Sequence, residues 1–220
     1  MKKYFLAIFA LGNSLLITAQ VQVRNEPRHH NVFENEFIRI LDVYLPPEDT
    51  TQYHLHNTPS VFIILANTNV SSQLMGKQPQ KGANIAGDIS YDGLAIPRLH
   101  RVWNEDTSWF HVMDIELTRQ HPDIDIPLLR DSSLNFLFNE PLVNGYKLNA
   151  NNGKSINLSS SKDGYLLVSL GEAIVYVKQN DDGQRRIMKR GHYIWIQPGK
   201  MLTISVSDRL SADFVLLQFK

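Results

Sequence analysis

The chain has 220 residues, 43% of them hydrophobic, with 22 basic and 22 acidic side chains, a formal net charge of zero and no cysteine. That length can bury one large core or two small ones, and the even charge, with no nucleic-acid-binding motif, sets nucleic acid aside as a partner. Without cysteine no disulfide adds stability in any compartment, so packing must supply it, which favours a closed, well-buried architecture.

Residues 1–20 have the pattern of a secretory signal peptide: Met1-Lys2-Lys3, an apolar run over 4–10, then Ile17-Thr18-Ala19-Gln20 with its small residues. Gly12-Asn13-Ser14 interrupts an apolar run already too short for a membrane core about 30 Å thick. Cleavage is expected after Ala19 or Gln20, leaving a mature protein in the periplasm or outside the cell, with no membrane attachment. Residues 21–31 are polar, and His29-His30 within them are expected to be solvated rather than part of a site.

Residues 32–44 read as a hairpin turning at Glu34-Asn35, ended by Pro46-Pro47. Further strands are expected at the histidine-bearing Tyr53-His54-Leu55-His56, over 61–65, 70–75 and 88–92, and over 98–102, which carries His100. Residues 76–87, rich in Lys, Gln and Gly, read as a loop. Over 109–117, Trp109, His111, Met113, Ile115 and Leu117 share one face; Asp114 and Glu116, on the other, are expected to be exposed. His111 is expected to line a pocket or to be hydrogen-bonded in the core, and Trp103, Trp109 and Trp195 to be core.

The pattern breaks after residue 118. A second series of short strands begins at 146–148 and runs to 214–219, with turns at Asn151-Asn152-Gly153, Asp163-Gly164, Asp181-Asp182-Gly183 and Pro198-Gly199. Nowhere is there a sustained helical period, so the expected class is all-β, with two barrels suggesting an internal duplication: 21–120, a linker over 121–133, and 134–220.

Alternation along a strand puts His54 and His56 on the same side, about 7 Å apart, where they can share a divalent metal if a third donor, His100, reaches across. The sequence around them resembles the cupin superfamily of jelly-roll barrels. That family's first motif is Gly, five residues, His-x-His, three or four residues, Glu, six residues, Gly. Here Glu48 stands in the glycine place, His54-Leu55-His56 fits, Ser60 stands at the glutamate and Asn67 at the last glycine. His100-Arg101-Val102-Trp103-Asn104 matches the close of the second motif. In the second half, Ser159-Ser160-Ser161 lies where His-x-His would be, and Leu202 where the later histidine would be. The resemblance thus implies a bicupin with a metal site in the first barrel and a degenerate second barrel.

Three neutral imidazoles would leave the metal its full double charge and several open positions, suiting an anionic or oxygen-rich ligand. Gln52 and Asn104 are candidates to receive the histidines' second nitrogens, and Ser60 to hold a water. Iron(II) or zinc is the expected ion, with manganese or nickel as alternatives. The resemblance implies a dioxygenase-like enzyme, or a lyase or isomerase; the rival expectation is a non-catalytic binding or scaffold barrel. Pairing through sheet edges into a homodimer is also expected.

Overall fold

A computed structural model describes residues 21–119, 126–150, 155–179, 182–206 and 212–220. The expected leader, residues 1–20, lies outside these, as do residue 120 and residues 121–125 of the expected linker, His121 among them. Among the described residues there is no α-helix. The strands in the first half are β1 (Val21–Gln22), β2 (His29–Glu34), β3 (Ile38–Leu45), β4 (His54–His56), β5 (Ser60–Ile64), β6 (Thr68–Leu74), β7 (Gln80–Asn84), β8 (Ile89–Asp92), β9 (Arg98–Asn104) and β10 (Phe110–Leu117), with a 3₁₀ turn at Val23–Asn25. The second half contributes β11 (Leu134–Glu140), β12 (Val143–Ala150), β13 (Ser155–Leu158), β14 (Tyr165–Ser169), β15 (Ala173–Gln179), β16 (Asp182–Met188), β17 (Tyr193–Ile196), β18 (Leu202–Val206) and β19 (Ala212–Phe219).

These strands form four sheets, in the orders β1-β4-β9-β6-β7 and β2-β3-β10-β5-β8, then β13-β18-β15-β16 and β11-β12-β19-β14-β17. The second pair repeats the order of the first, β1 excepted, so the chain is two jelly rolls of one topology. Two strands depart from expectation. β7 lies inside the span read as a loop: the chain reverses at Gly76 (φ 74°) and pairs Ser72 with Gln80 through Thr68 with Asn84. It is an edge strand of polar and small residues, exposed along most of its length, so no apolar alternation announces it. β11 was not expected either; it too is an edge, and a bulge between Phe136 and Phe138 breaks its period.

Glu48, at the resemblance's glycine position, has φ 64°. The tight turn after Pro46 demands a left-handed residue, which glycine adopts without strain and glutamate only at some cost.

The sheet containing β3 and β10 has two buried faces. Leu41, Val43, Leu45, Phe110 and Val112 point into their own barrel with Val23. The alternate residues, Ile38, Ile40, Met113, Ile115 and Leu117, pack with Val61 and Ile63 against Val143, Leu166, Val168, Val215, Leu217 and Phe219 of the second barrel. The face of 109–117 that reads as apolar in sequence is therefore the junction, and the polar-looking face is the barrel interior. This corrects the expectation for Asp114 and Glu116, each 1% exposed. Glu116 is neutralised by Arg39 at 2.6 Å, which also reaches Glu34 at 2.7 Å. The tryptophans divide: Trp109 is 56% exposed, Trp103 is half-buried under Arg101, and Trp195 packs at the junction. Among the described residues, hydrogen bonds from Tyr193 Oη to the Val32 carbonyl (2.9 Å) and from Arg190 Nη1 to the Leu65 carbonyl (3.2 Å) tie the barrels, and Arg119 pairs with Asp163.

Candidate metal centre

Strand β4 is only three residues long and is held from both sides. It pairs parallel with β1 (Val21 with His54) and antiparallel with β9, placing His54 opposite His100 and His56 opposite Arg98. Alternation turns His54, His56, His100 and Arg98 inward, and Leu55 and Leu99 outward. The ring centroids of His54 and His100 lie 4.6 Å apart, those of His56 and His100 4.9 Å, and those of His54 and His56 5.0 Å. The rings of the three histidines named from sequence therefore lie side by side.

A fourth joins them. His29 opens β2, is buried, and has its ring centroid 4.6 Å from that of His54 and 6.3 Å from that of His56. Ligand atoms of His29, His54 and His56 fall within 4.8 Å of one another, a spacing that could hold a metal ion. This overturns the expectation that His29 is solvated; His30, one residue on, is exposed. Glu26, three residues earlier, accepts a hydrogen bond from His29 Nδ1 at its Oε2 (2.7 Å).

Neighbouring acceptors fix the tautomers. A carbonyl or an ionised carboxylate only accepts, so the 2.9 Å contact of His54 Nδ1 with the Gln52 carbonyl puts the proton on Nδ1 and leaves Nε2 as a free lone pair. Glu26 likewise places a proton on His29 Nδ1. Thus the main chain of Gln52 receives a histidine's second nitrogen while its side chain is exposed. Asn104 does not play the role expected of it. Its Nδ2 donates to the carbonyls of Leu45 (3.1 Å) and Ser108 (2.7 Å) and its Oδ1 accepts from the Asp106 amide (2.9 Å), so it clasps a turn. His111 points to the junction face, stacked on Tyr44 at 3.9 Å and 2.8 Å from Asp42 Oδ1, away from the cavity. Ser60 is buried on β5, donating to the Thr58 carbonyl at 3.3 Å.

The unsatisfied atoms concentrate here. His54 Nε2, both ring nitrogens of His56, His100 Nε2 and both carboxyl oxygens of Asp114 are buried without a hydrogen-bond partner. Leaving such groups unpaired is costly, and one nitrogen lone pair from each of His54, His56 and His100 is what a divalent ion would satisfy. The imidazoles are held neutral. Burial, then the charge of His29, lowers His54 to about 4, and burial with the neighbouring imidazoles lowers His56 and His100 further. Asp114 goes the other way: burial, then the like charge of Glu116, raises it to about 7, with its Oδ2 3.6 Å from His56 Nδ1.

The cluster lines a cavity of about 400 Å³ whose walls include Leu45, Phe62, Ile64, Val70, Phe110 and Val112. Arg98 is its cation; the guanidinium pairs with Asp92 and sits 5.8 Å from the Phe62 ring, while its Nε is buried without a partner. Arg98, Asp114 and the Glu26–His29 pair escape sequence reading because nothing local shows which way they face.

No protein-family model matches the chain, and no curated protein matches it in sequence. Solved structures do match in fold. A cupin 2 conserved barrel domain protein from Leptotrichia buccalis superposes with a TM-score of 0.56 at 14% identity, over 87% of this chain and 88% of that one. Salicylate 1,2-dioxygenase from Pseudoaminobacter salicylatoxidans, in an adduct with gentisate, gives 0.65 at 10% identity over 91% and 75%. The protein YhaK from Escherichia coli gives 0.55 at 14% identity over 86% and 90%. At these identities the likeness is one of fold.

Proposed function

From the cupin fold that the chain carries twice, we propose that its first barrel is a divalent-metal site, with His54, His56 and His100 as ligands, acting on a small anionic or oxygen-rich molecule as an oxygenase-type enzyme. The carrying observation is the set of buried, partnerless ring nitrogens of those three residues. Iron(II) or zinc suits an all-imidazole donor set. When bound, the ion supplies Lewis acidity toward an oxygen-bearing ligand.

The chain's own residues would do the rest. Arg98 presents positive charge to a carboxylate entering the cavity, with one nitrogen still unpaired. Asp114, its carboxyl raised to about 7, can hold or accept a proton near neutrality beside His56. The apolar walls exclude water and set an upper size of a ring or a short chain. Gentisate, bound by the salicylate 1,2-dioxygenase, is a small aromatic acid of this size and charge. Export through the leader, release of the mature chain into the periplasm or medium, and pairing into a homodimer belong to the same proposal.

The test is elemental analysis of the mature protein made in its native compartment, with oxygen uptake measured over a panel of small aromatic and aliphatic acids. One equivalent of metal, lost in His56→Ala, and uptake with some member of the panel are expected. A metal-free wild type would refute the site. Bound metal with no turnover would favour the second reading, a ligand-binding barrel, which the pairing of Arg98 with Asp92 supports because that ion pair already tempers the cavity's cation.

A further inference from the structure

We propose that His29, held by the buried carboxylate of Glu26, is a fourth ligand of the metal site, so that the opening segment of the first barrel restores the negative charge the histidine motif lacks. The inference rests on the metal reading above and adds residues outside the His54/His56/His100 set.

Glu26 is 1% exposed. Its Oε2 accepts from His29 Nδ1 (2.7 Å) and from the Arg28 amide (2.8 Å), and its Oε1 accepts from the Gln52 amide (3.2 Å). The carbonyl of the same Gln52 accepts from His54 Nδ1 (2.9 Å), so the main chain of one residue and one carboxylate hold both rings, which have ligand atoms within 4.8 Å of each other. The 3₁₀ turn at Val23–Asn25 delivers this unit, with Glu26 N bonded to the Val23 carbonyl and His29 N to the Glu26 carbonyl. Every one of Glu26's contacts is an N–H group donating to the carboxylate, the environment that an ionised carboxylate takes.

The chemical consequence follows from position. Ser60 stands where the family motif has a carboxylate, so His54, His56 and His100 alone leave the ion's double charge uncompensated. A carboxylate hydrogen-bonded to a ligating imidazole makes that ring a better donor and places a negative charge one residue from the ion. The Glu26–His29 pair does this from outside the motif, and the parallel pairing of β1 with β4 fixes the segment against the site.

The experiment uses the mature full chain, wild type, His29→Ala, His29→Gln and Glu26→Gln, loaded with cobalt(II). Affinity is read by chelator competition, and nitrogen ligation by X-ray absorption and the visible spectrum. Wild type should bind one equivalent with one more nitrogen donor than either His29 variant. Both His29 variants should still bind one equivalent, at least tenfold more weakly. Glu26→Gln should keep the nitrogen count yet weaken binding about 10–100-fold, as loss of a carboxylate behind a ligating histidine does. Unchanged affinity and nitrogen count in His29→Gln, which keeps a side chain able to reach Glu26 should the alanine variant not fold, would remove His29 from the ligand set while leaving the three-histidine site standing. A wild type that binds no cobalt would remove both.

Discussion

The two barrels share a strand order and differ in what fills them. In the first, Leu74 of β6 pairs with His100; in the second, Gln179 of β15 pairs with Leu202, so Leu202 stands where His100 does. Opposite Leu202 is Leu158, as His54 is opposite His100. Fifth in β19 is Leu216, as Asp114 is fifth in β10. His54, His100 and Asp114 thus have apolar counterparts, and Leu158, Leu202 and Leu216 all join one buried core there, whereas the pair Arg39 and Glu116 is matched by the polar pair Asn144 and Gln218. The same scaffold thus places leucines in one copy where it places nitrogen donors and a carboxyl around a cavity in the other. Close packing is where a jelly roll of this size draws its stability, so the second barrel carries stability for a first barrel that gives some up.

The comparison breaks first at the metal. His56→Ala should abolish stoichiometric metal, read by elemental analysis, whereas Leu202→Ala should leave it in place; metal retained in the histidine variant would place the ion elsewhere. Next comes packing. Leu202→Ala should cost about 2–5 kcal/mol in urea unfolding because it opens a cavity in a filled core. Asp114→Leu in the metal-free chain should instead gain about 1–3 kcal/mol at pH 8, since it removes a buried carboxyl with no partner. If both changes destabilise alike, the two interiors are not built on different principles.

Acid should separate the barrels too. His54, near 6.5 when unfolded, is lowered to about 4 in the fold, and His56 and His100 are lowered further, so the unfolded chain takes up these protons first and stability falls as pH drops below about 6.5. Each imidazole then costs the metal-free protein about 2 kcal/mol at pH 5. Asp114, raised to about 7, binds its proton earlier in the fold than unfolded and offsets part of this. Amide exchange of metal-free protein at pH 7 and pH 5 should show β4 and β9 losing protection while β13 and β18 keep theirs. Smallest is the tie between barrels: Tyr193→Phe removes the bond to the Val32 carbonyl and should cost about 1 kcal/mol, seen as a small drop in thermal midpoint.

Legibility in the sequence follows the same division. His54 and His56 are readable because alternation needs only two residues of one strand, and His100 because a motif anchors it. The second barrel's loss of ligands is readable too, but by one residue it is misplaced: Ser159 was aligned with the first motif histidine, while the register puts Leu158 there, and in a strand a shift of one reverses the face. Asp114 and Glu116 were divided correctly from Met113 and Ile115, yet alternation says only that two faces exist. That both are buried depends on a second barrel arriving from a hundred residues away. His29 was missed for a related reason, since its burial is decided by β2 pairing and by Glu26 folding back, in a segment whose composition is polar.

The doubly covered sheet has one more consequence. Asp114 and Ile115 are neighbours on β10, one facing the cavity and the other pressed into the second barrel. That wall is pinned by the hydrophobic seam, whereas Leu74 and Gln80, at the ends of β6 and β7 in the opposite sheet, line the cavity and are exposed. Breathing of the β6–β7 ribbon should therefore set how fast anything comes or goes.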